Sequence, residues 1–174
     1  MPAYIPAPPP QDLNFLNRYI HEELWRLSAY LSAATEVVSG GMYLVTPPSV
    51  VGVVHTTPVI LTEYDAEASG MSGVVADTGS GTLTVQQDAV VTMSMYATMS
   101  ASSNNKNVTV QLYKNGEAFP GAVGSVFLET ANSPLSVSIT GRLPVARGDV
   151  FDIRVTSASS TTITLQSLLF QVYS

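Results

Sequence analysis

The strongest constraint on this chain is a period of two. Val91, Met93, Met95, Ala97 and Met99 alternate with Thr92, Ser94, Tyr96 and Thr98. The pattern returns with Val108, Val110 and Leu112 against Thr109, Gln111 and Tyr113, and with Leu135, Val137 and Ile139 against Ser136, Ser138 and Thr140. It returns again with Ile163 and Leu165 against Thr162 and Thr164. A strand sends successive side chains to opposite faces, so each run can bury one apolar row while leaving a polar row outside. The strings SSNNKN, KNGEAFPG, ANSP, ARGD and SASS separate the runs and are rich in turn-forming residues. With no helical period between them, residues 58–174 are expected to form an antiparallel β-sandwich.

The outward rows are Ser and Thr rather than Lys and Glu, and charged residues make up only 11% of the chain. A monomeric sandwich usually carries more surface charge. Short hydroxyls suit packing against another subunit or hydrogen bonding to a sugar, and the pattern leaves both open. The net charge is −6, with two Lys and five Arg scattered along the chain, so no basic patch is available for nucleic-acid phosphates. The absence of cysteine removes disulfides, thiolate nucleophiles and Cys-based metal sites. The N-terminal string MPAYIPAPPP has neither the basic nor the apolar region of a secretory signal, and no stretch is long enough to span a bilayer. A soluble protein made in the cytoplasm is expected.

Residues 1–11 contain five prolines and are expected to form an extended arm. From Asp12 the period becomes helical. Leu13, Asn17, Ile20, Leu24, Leu27, Leu31, Ala34 and Val38 follow a heptad seam, and Ser39-Gly40-Gly41 supplies a stop. No second helix in the sequence can cover this stripe, so residues 12–39 are expected to form a parallel coiled coil with copies of themselves, with Asn17 setting the register. The alternative is packing on the chain's own β domain. A membrane-surface helix is disfavoured because the polar face is not rich in Lys or Arg. Residues 40–57, interrupted by Pro47, Pro48 and Gly52, read as a connector.

Three strings carry a family resemblance: VQLYKNG (residues 110–116), LPVARGDVFDI (residues 143–153) and the closing LLFQVYS. Together they resemble the C1q/TNF-like jelly roll, in which a Leu-x-x-Asn-Gly hairpin precedes a Leu-x-Leu-x-x-Gly-Asp-x-Val element. Val145 here takes the second Leu position. The resemblance implies a homotrimer, which agrees with the separate evidence of the heptad seam. The order of arm, helix and β head also resembles small virion proteins of tailed bacteriophages, namely head fibres, decoration proteins and short tail fibres. That resemblance implies a structural, non-enzymatic protein on the virion surface with no cofactor. Its partners would be copies of itself and capsid or tail proteins.

Tyr4, Ile5, Pro6, Pro8, Pro9 and Pro10 would anchor it, because proline gives up little further backbone entropy on docking. Phe15, Tyr19 and Trp25 lie off the seam and either extend that surface or contact the connector. Tyr113 and Phe119 are candidates for contact with a host-surface glycan in the alternative receptor-binding reading.

The string VVADTGSGT, residues 74–82, reads like an aspartic-protease turn, and Ile139-Thr140-Gly141-Arg142 follows at a suggestive distance. Such an enzyme needs two carboxylates sharing a proton. It also needs a Gly-rich flap, yet residues 100–107 contain no glycine, and the required helix after Arg142 is preempted by Pro144. Asp77 is therefore read as part of a strand connector, with protease activity a remote alternative. His21-Glu22-Glu23 lacks the second histidine of a zinc helix, because Trp25 stands there. Glu63, Asp65 and Glu67 offer hard oxygens for calcium but read as solvated carboxylates.

Overall fold

The computed structural model describes residues 19–27 and 37–174. The chain divides after Glu36 into two units. In the first, residues 19–27 form a helix, α1. Ile20, Leu24 and Trp25 are 44%, 59% and 75% exposed on it, while Leu27 and Tyr19 are half-buried. The expected coiled coil over residues 12–39 is thus represented by a short helix. Leu13, Asn17, Leu31 and Ala34 of the seam lie outside the described residues, as do Tyr4, Ile5, Pro6, Pro8, Pro9, Pro10 and Phe15.

The second unit has twelve strands: β1 (Ser39–Tyr43), β2 (Ser49–Val54), β3 (Val59–Ile60), β4 (Ala66–Glu67), β5 (Val74–Asp77) and β6 (Thr82–Val85), then β7 (Ala89–Ala101), β8 (Lys106–Lys114), β9 (Glu117–Leu128), β10 (Leu135–Val145), β11 (Val150–Ser157) and β12 (Thr161–Tyr173). They form two antiparallel sheets. Sheet I has the order β10-β7-β12-β1-β4, with β2 also on β12; sheet II has the order β5-β6-β11-β8-β9, with β3 also on β11. The stretch expected as a connector supplies β1 and β2. Val38, placed on the helical seam by its spacing, is fully buried in the β unit's core, and its amide donates to Ser174 Oγ. The helical period does not extend to it because Ser39 already pairs with Tyr173 in the sheet.

The apolar rows meet between the sheets. Val91, Met93, Met95, Ala97 and Met99 of β7 face Val108, Val110 and Leu112 of β8 and Phe151, Ile153 and Val155 of β11, all almost fully buried. Two departures from strict alternation have local causes. Leu135 has the parity of Val137 and Ile139 but starts its strand beyond the edge of the core and is 44% exposed. In β12 the register against β7 shifts between Leu165 and Ser167, so the inward row passes from Ile163 and Leu165 to Leu168, Phe170 and Val172. One extra residue reverses the parity of everything after it.

The two strings that carried the family resemblance lock to each other. Asn115, at φ 53, turns the β8–β9 hairpin, and its amide donates to Val150 O (2.8 Å). Its side chain accepts from Val150 N (2.8 Å) and donates to Asp149 Oδ1 (2.8 Å). Asp149 Oδ2 takes the Ala146 amide (2.7 Å) and the Lys114 ammonium (2.8 Å). Burial opposes the charged carboxylate of Asp149. The hydrogen bonds from Lys114, Ala146 and Asn115, together with the Lys114 charge, outweigh it and hold the carboxyl below its ordinary range.

A depressed folded-state pKa contributes stability that is present above the unfolded value and lost as pH falls through the folded one. Asp149→Asn should therefore cost about 2 kcal/mol at pH 7. In urea titrations its deficit against wild type should shrink below about pH 4. A deficit that stays constant down to pH 2 would contradict this assignment.

Candidate functional site

The outward face of sheet I is a nearly uncharged surface built by four neighbouring strands. Register places Ser136, Ser138, Thr140 and Arg142 of β10 beside Thr98, Tyr96, Ser94 and Thr92 of β7. The next rows pair Tyr96 with Leu169, Ser94 with Gln171 and Thr92 with Tyr173; Leu169 and Gln171 then meet Tyr43 and Gly41 of β1. Arg142 is the single charged residue among the outward positions of these four strands. Tyr43, Tyr96 and Tyr173 are 38%, 45% and 45% exposed.

Hydroxyl groups tie this face together. Tyr96 Oη bonds Ser136 Oγ (3.0 Å) and Thr98 Oγ1 (3.2 Å), and those two bond each other (3.0 Å). Bonding to Ser136 and then Thr98 lowers the Tyr96 pKa from its ordinary value. Gln171 Nε2 donates to Ser94 Oγ (3.0 Å). Beside Tyr173 a hollow of about 280 Å³ opens over Gly40, Gly41 and the 68–70 loop. Gly41 has no room for a side chain, because a Cβ there would lie 2.6 Å from the Phe170 carbonyl oxygen.

The sequence-predicted residues fall elsewhere. Tyr113 and Phe119 belong to β8 and β9 of sheet II. The Phe119 ring lies against Gly121 and Gly141, while Tyr113 is covered on one side by the Arg154 guanidinium, 4.1 Å from its ring centre. In α1, Trp25 is open to solvent. Neither Tyr43, Tyr173 nor Leu169 was singled out from sequence. The usable signal was the β7 row, where Tyr96 stands among Ser and Thr.

Asp77 ends β5, and its Oδ1 accepts the amides of Gly79 (3.0 Å) and Ser80 (3.2 Å). Bonds from the Ser80 side chain and amide, with the Gly79 amide, hold this exposed carboxyl below its ordinary range. Gly81 follows at φ 68, where any Cβ would collide with the Leu61 carbonyl. The Asp-Thr-Gly-Ser-Gly string thus meets the needs of the β5–β6 turn. Glu63, Asp65 and Glu67 are not gathered: no group of three potential metal ligands occurs among the described residues. Asp65 instead takes the Val45 and Thr46 amides and the Thr46 hydroxyl, and these bonds keep its carboxyl low. Burial raises the Glu63 pKa. Burial likewise pushes Tyr64 above its ordinary value, aided by the nearby Glu63 and Asp152 charges.

No family model matches the sequence, and no curated protein matches it. Solved structures do. The chain is similar to the Eiger TNF of S. frugiperda at 16% identity and a TM-score of 0.57, covering 79% of this chain and 92% of that one. It is also similar to the globular domain of zebrafish complement 1qA, at 11% identity and a TM-score of 0.48, with coverages of 77% and 94%. Murine APRIL, at 11% identity and a TM-score of 0.49, is covered to 98% by 78% of this chain. The likeness to the Eiger TNF shows that the β unit has a TNF-like jelly-roll fold, and fold is what that likeness establishes.

Asp77→Ala should leave protease assays on unfolded casein at the wild-type background. Hydrolysis shown by wild type and lost in the variant would restore Asp77 as a catalytic carboxylate.

Proposed function

We propose that this chain is a structural interaction protein: a homotrimer associating through the outward face of sheet I and attached by its N-terminus to the virion of a tailed bacteriophage. The observation carrying this reading is that face itself, with three half-exposed tyrosines and a leucine set among hydroxyls and one charge. Water solvates such a face less well than a charged one, and an interface core is depleted of charge and enriched in tyrosine. The jelly-roll likeness supports trimeric closure. Apolar exposure on α1 supports a second contact, with Ile20, Leu24 and Leu27 meeting their copies while Tyr19 and Trp25 turn toward the particle. The Pro-rich arm supplies a segment that docks at small cost in backbone entropy. Arm, helix and β head in this order suit a head fibre or decoration protein.

Sedimentation tests the assembly. Wild type should run at three times the chain mass at micromolar concentration, unchanged from about 0.05 to 1 M NaCl because few charges are available to screen. Tyr96→Lys would bury an unpaired charge, cost about 3 kcal/mol or more in association, and yield the single-chain mass. A wild-type monomer, or a Tyr96→Lys protein that still runs as a trimer, would refute the interface.

Attachment is tested separately. Deleting residues 1–11 should leave the trimer intact and abolish incorporation into particles. Normal incorporation of the truncated chain would remove the arm from the account.

A further inference from the structure

The opposite face of the molecule holds a guanidinium fixed in direction and left with unused donors. Arg154 sits on β11, in the middle of sheet II, on the outward row with Asp152 and Thr156. Its Nε donates to Asp152 Oδ1 (2.7 Å) and its Nη2 to Asp152 Oδ2 (3.1 Å). Asp152 is only 5% exposed, so this anchor is rigid and out of a ligand's reach. One face of the guanidinium rests on the Tyr113 ring, 4.1 Å from its centre. Arginine has five N–H donors in a planar fork, and Asp152 uses two. Nη1 has no partner in the described chain, and it is not among the buried unpaired atoms. The outer edge of the fork is therefore preorganised and wet.

The surroundings select the kind of acceptor. The Asp152 carboxylate neutralises Arg154, and the whole chain carries −6, so an anion gains little by approaching. Gln111 stands opposite Arg154 in the register; its Nε2 donates to the Phe119 carbonyl (3.4 Å), which leaves the amide oxygen to accept. The space over Gly116 of the neighbouring hairpin is open: a Cβ there would find no atom nearer than Arg154 Nη2, at 4.0 Å. We propose that the outer edge of Arg154, with Gln111 beside it, binds adjacent hydroxyl groups of a neutral sugar. The oxygens of two neighbouring hydroxyls accept the free N–H donors, while their protons need acceptors such as the Gln111 side-chain carbonyl. This site lies on the other sheet from the proposed self-association face, so either can fail without the other.

The test is NMR titration of the full-length protein with methyl α-mannoside, methyl β-galactoside and methyl β-glucoside, using sodium glucuronate as the charged control. The readouts are the Arg154 Nε–H and Gln111 side-chain amide signals. At least one neutral glycoside should shift both signals saturably in the millimolar range, below about 50 mM. Glucuronate should bind no tighter than methyl β-glucoside. Arg154→Lys and, independently, Gln111→Leu should each weaken binding at least tenfold; Gln111→Leu leaves the Arg154–Asp152 pair in place should the first variant fail to fold. Absence of saturable shifts with all three glycosides, tighter binding of glucuronate, or wild-type affinity in Gln111→Leu would each overturn the proposal.

Discussion

The structure depends on one apolar layer gripped by two antiparallel sheets. Strand geometry gives every strand two rows, and the layer can claim only one of them. Rows from β7, β8 and β11 fill it with Met, Val, Leu, Ile and Phe side chains that are nearly all inaccessible to water. At roughly 25 cal/mol per Å² of apolar surface buried, this layer supplies the main favourable term in folding. The other rows are then free to serve other ends, and here they carry tyrosines and hydroxyls in sheet I and the Arg154–Asp152 pair in sheet II.

Local devices keep the layer in register. The lock between Asn115 and Asp149 pins the β8–β9 hairpin to the turn before β11, joining segments distant in sequence through charge-assisted and backbone hydrogen bonds. The bulge in β12 lets a long strand serve β2 and β7 at one end and β1 and β7 at the other. Asp65 does comparable work for the β1–β2 turn by gathering the Val45 and Thr46 amides. Each device uses a short polar side chain where the backbone would otherwise lack partners.

The long strands were legible in the sequence because each has one wet face and one dry face. The sandwich class, the jelly-roll likeness and the burial of Met93, Met95, Val110 and Ile139 all follow from that contrast. The strands β1 and β2 were not legible. Gly40, Gly41 and Gly52 blur the alternation, and Val50 and Val53, on either side of a bulge, are both exposed. Val38 fell into a heptad spacing by coincidence of position, and its burial is decided by pairing beside the C-terminal strand. The candidate face was half legible. Tyr96 stood in a clear outward row, whereas Tyr43 and Tyr173 join it only through the pairing of β1 with β12 and β12 with β7. The glycan-contact residues Tyr113 and Phe119 were chosen as aromatics; the structure sets the Arg154 guanidinium on one side of Tyr113 and Phe119 beside Gly121 and Gly141. The Arg154 fork was invisible because an Asp-x-Arg spacing is unremarkable until both side chains are seen on one face.

The central claim is that copies of the chain cover the outward face of sheet I. Hydroxyl-radical footprinting reads this residue by residue, since Tyr43, Tyr96 and Tyr173 are all well exposed in one copy of the chain. The account predicts that at micromolar concentration all three are modified far more slowly than their single-chain exposure implies, and that dilution to the dissociated state restores their reactivity together. Modification at the rate expected for open tyrosines at every concentration would show that nothing covers the face.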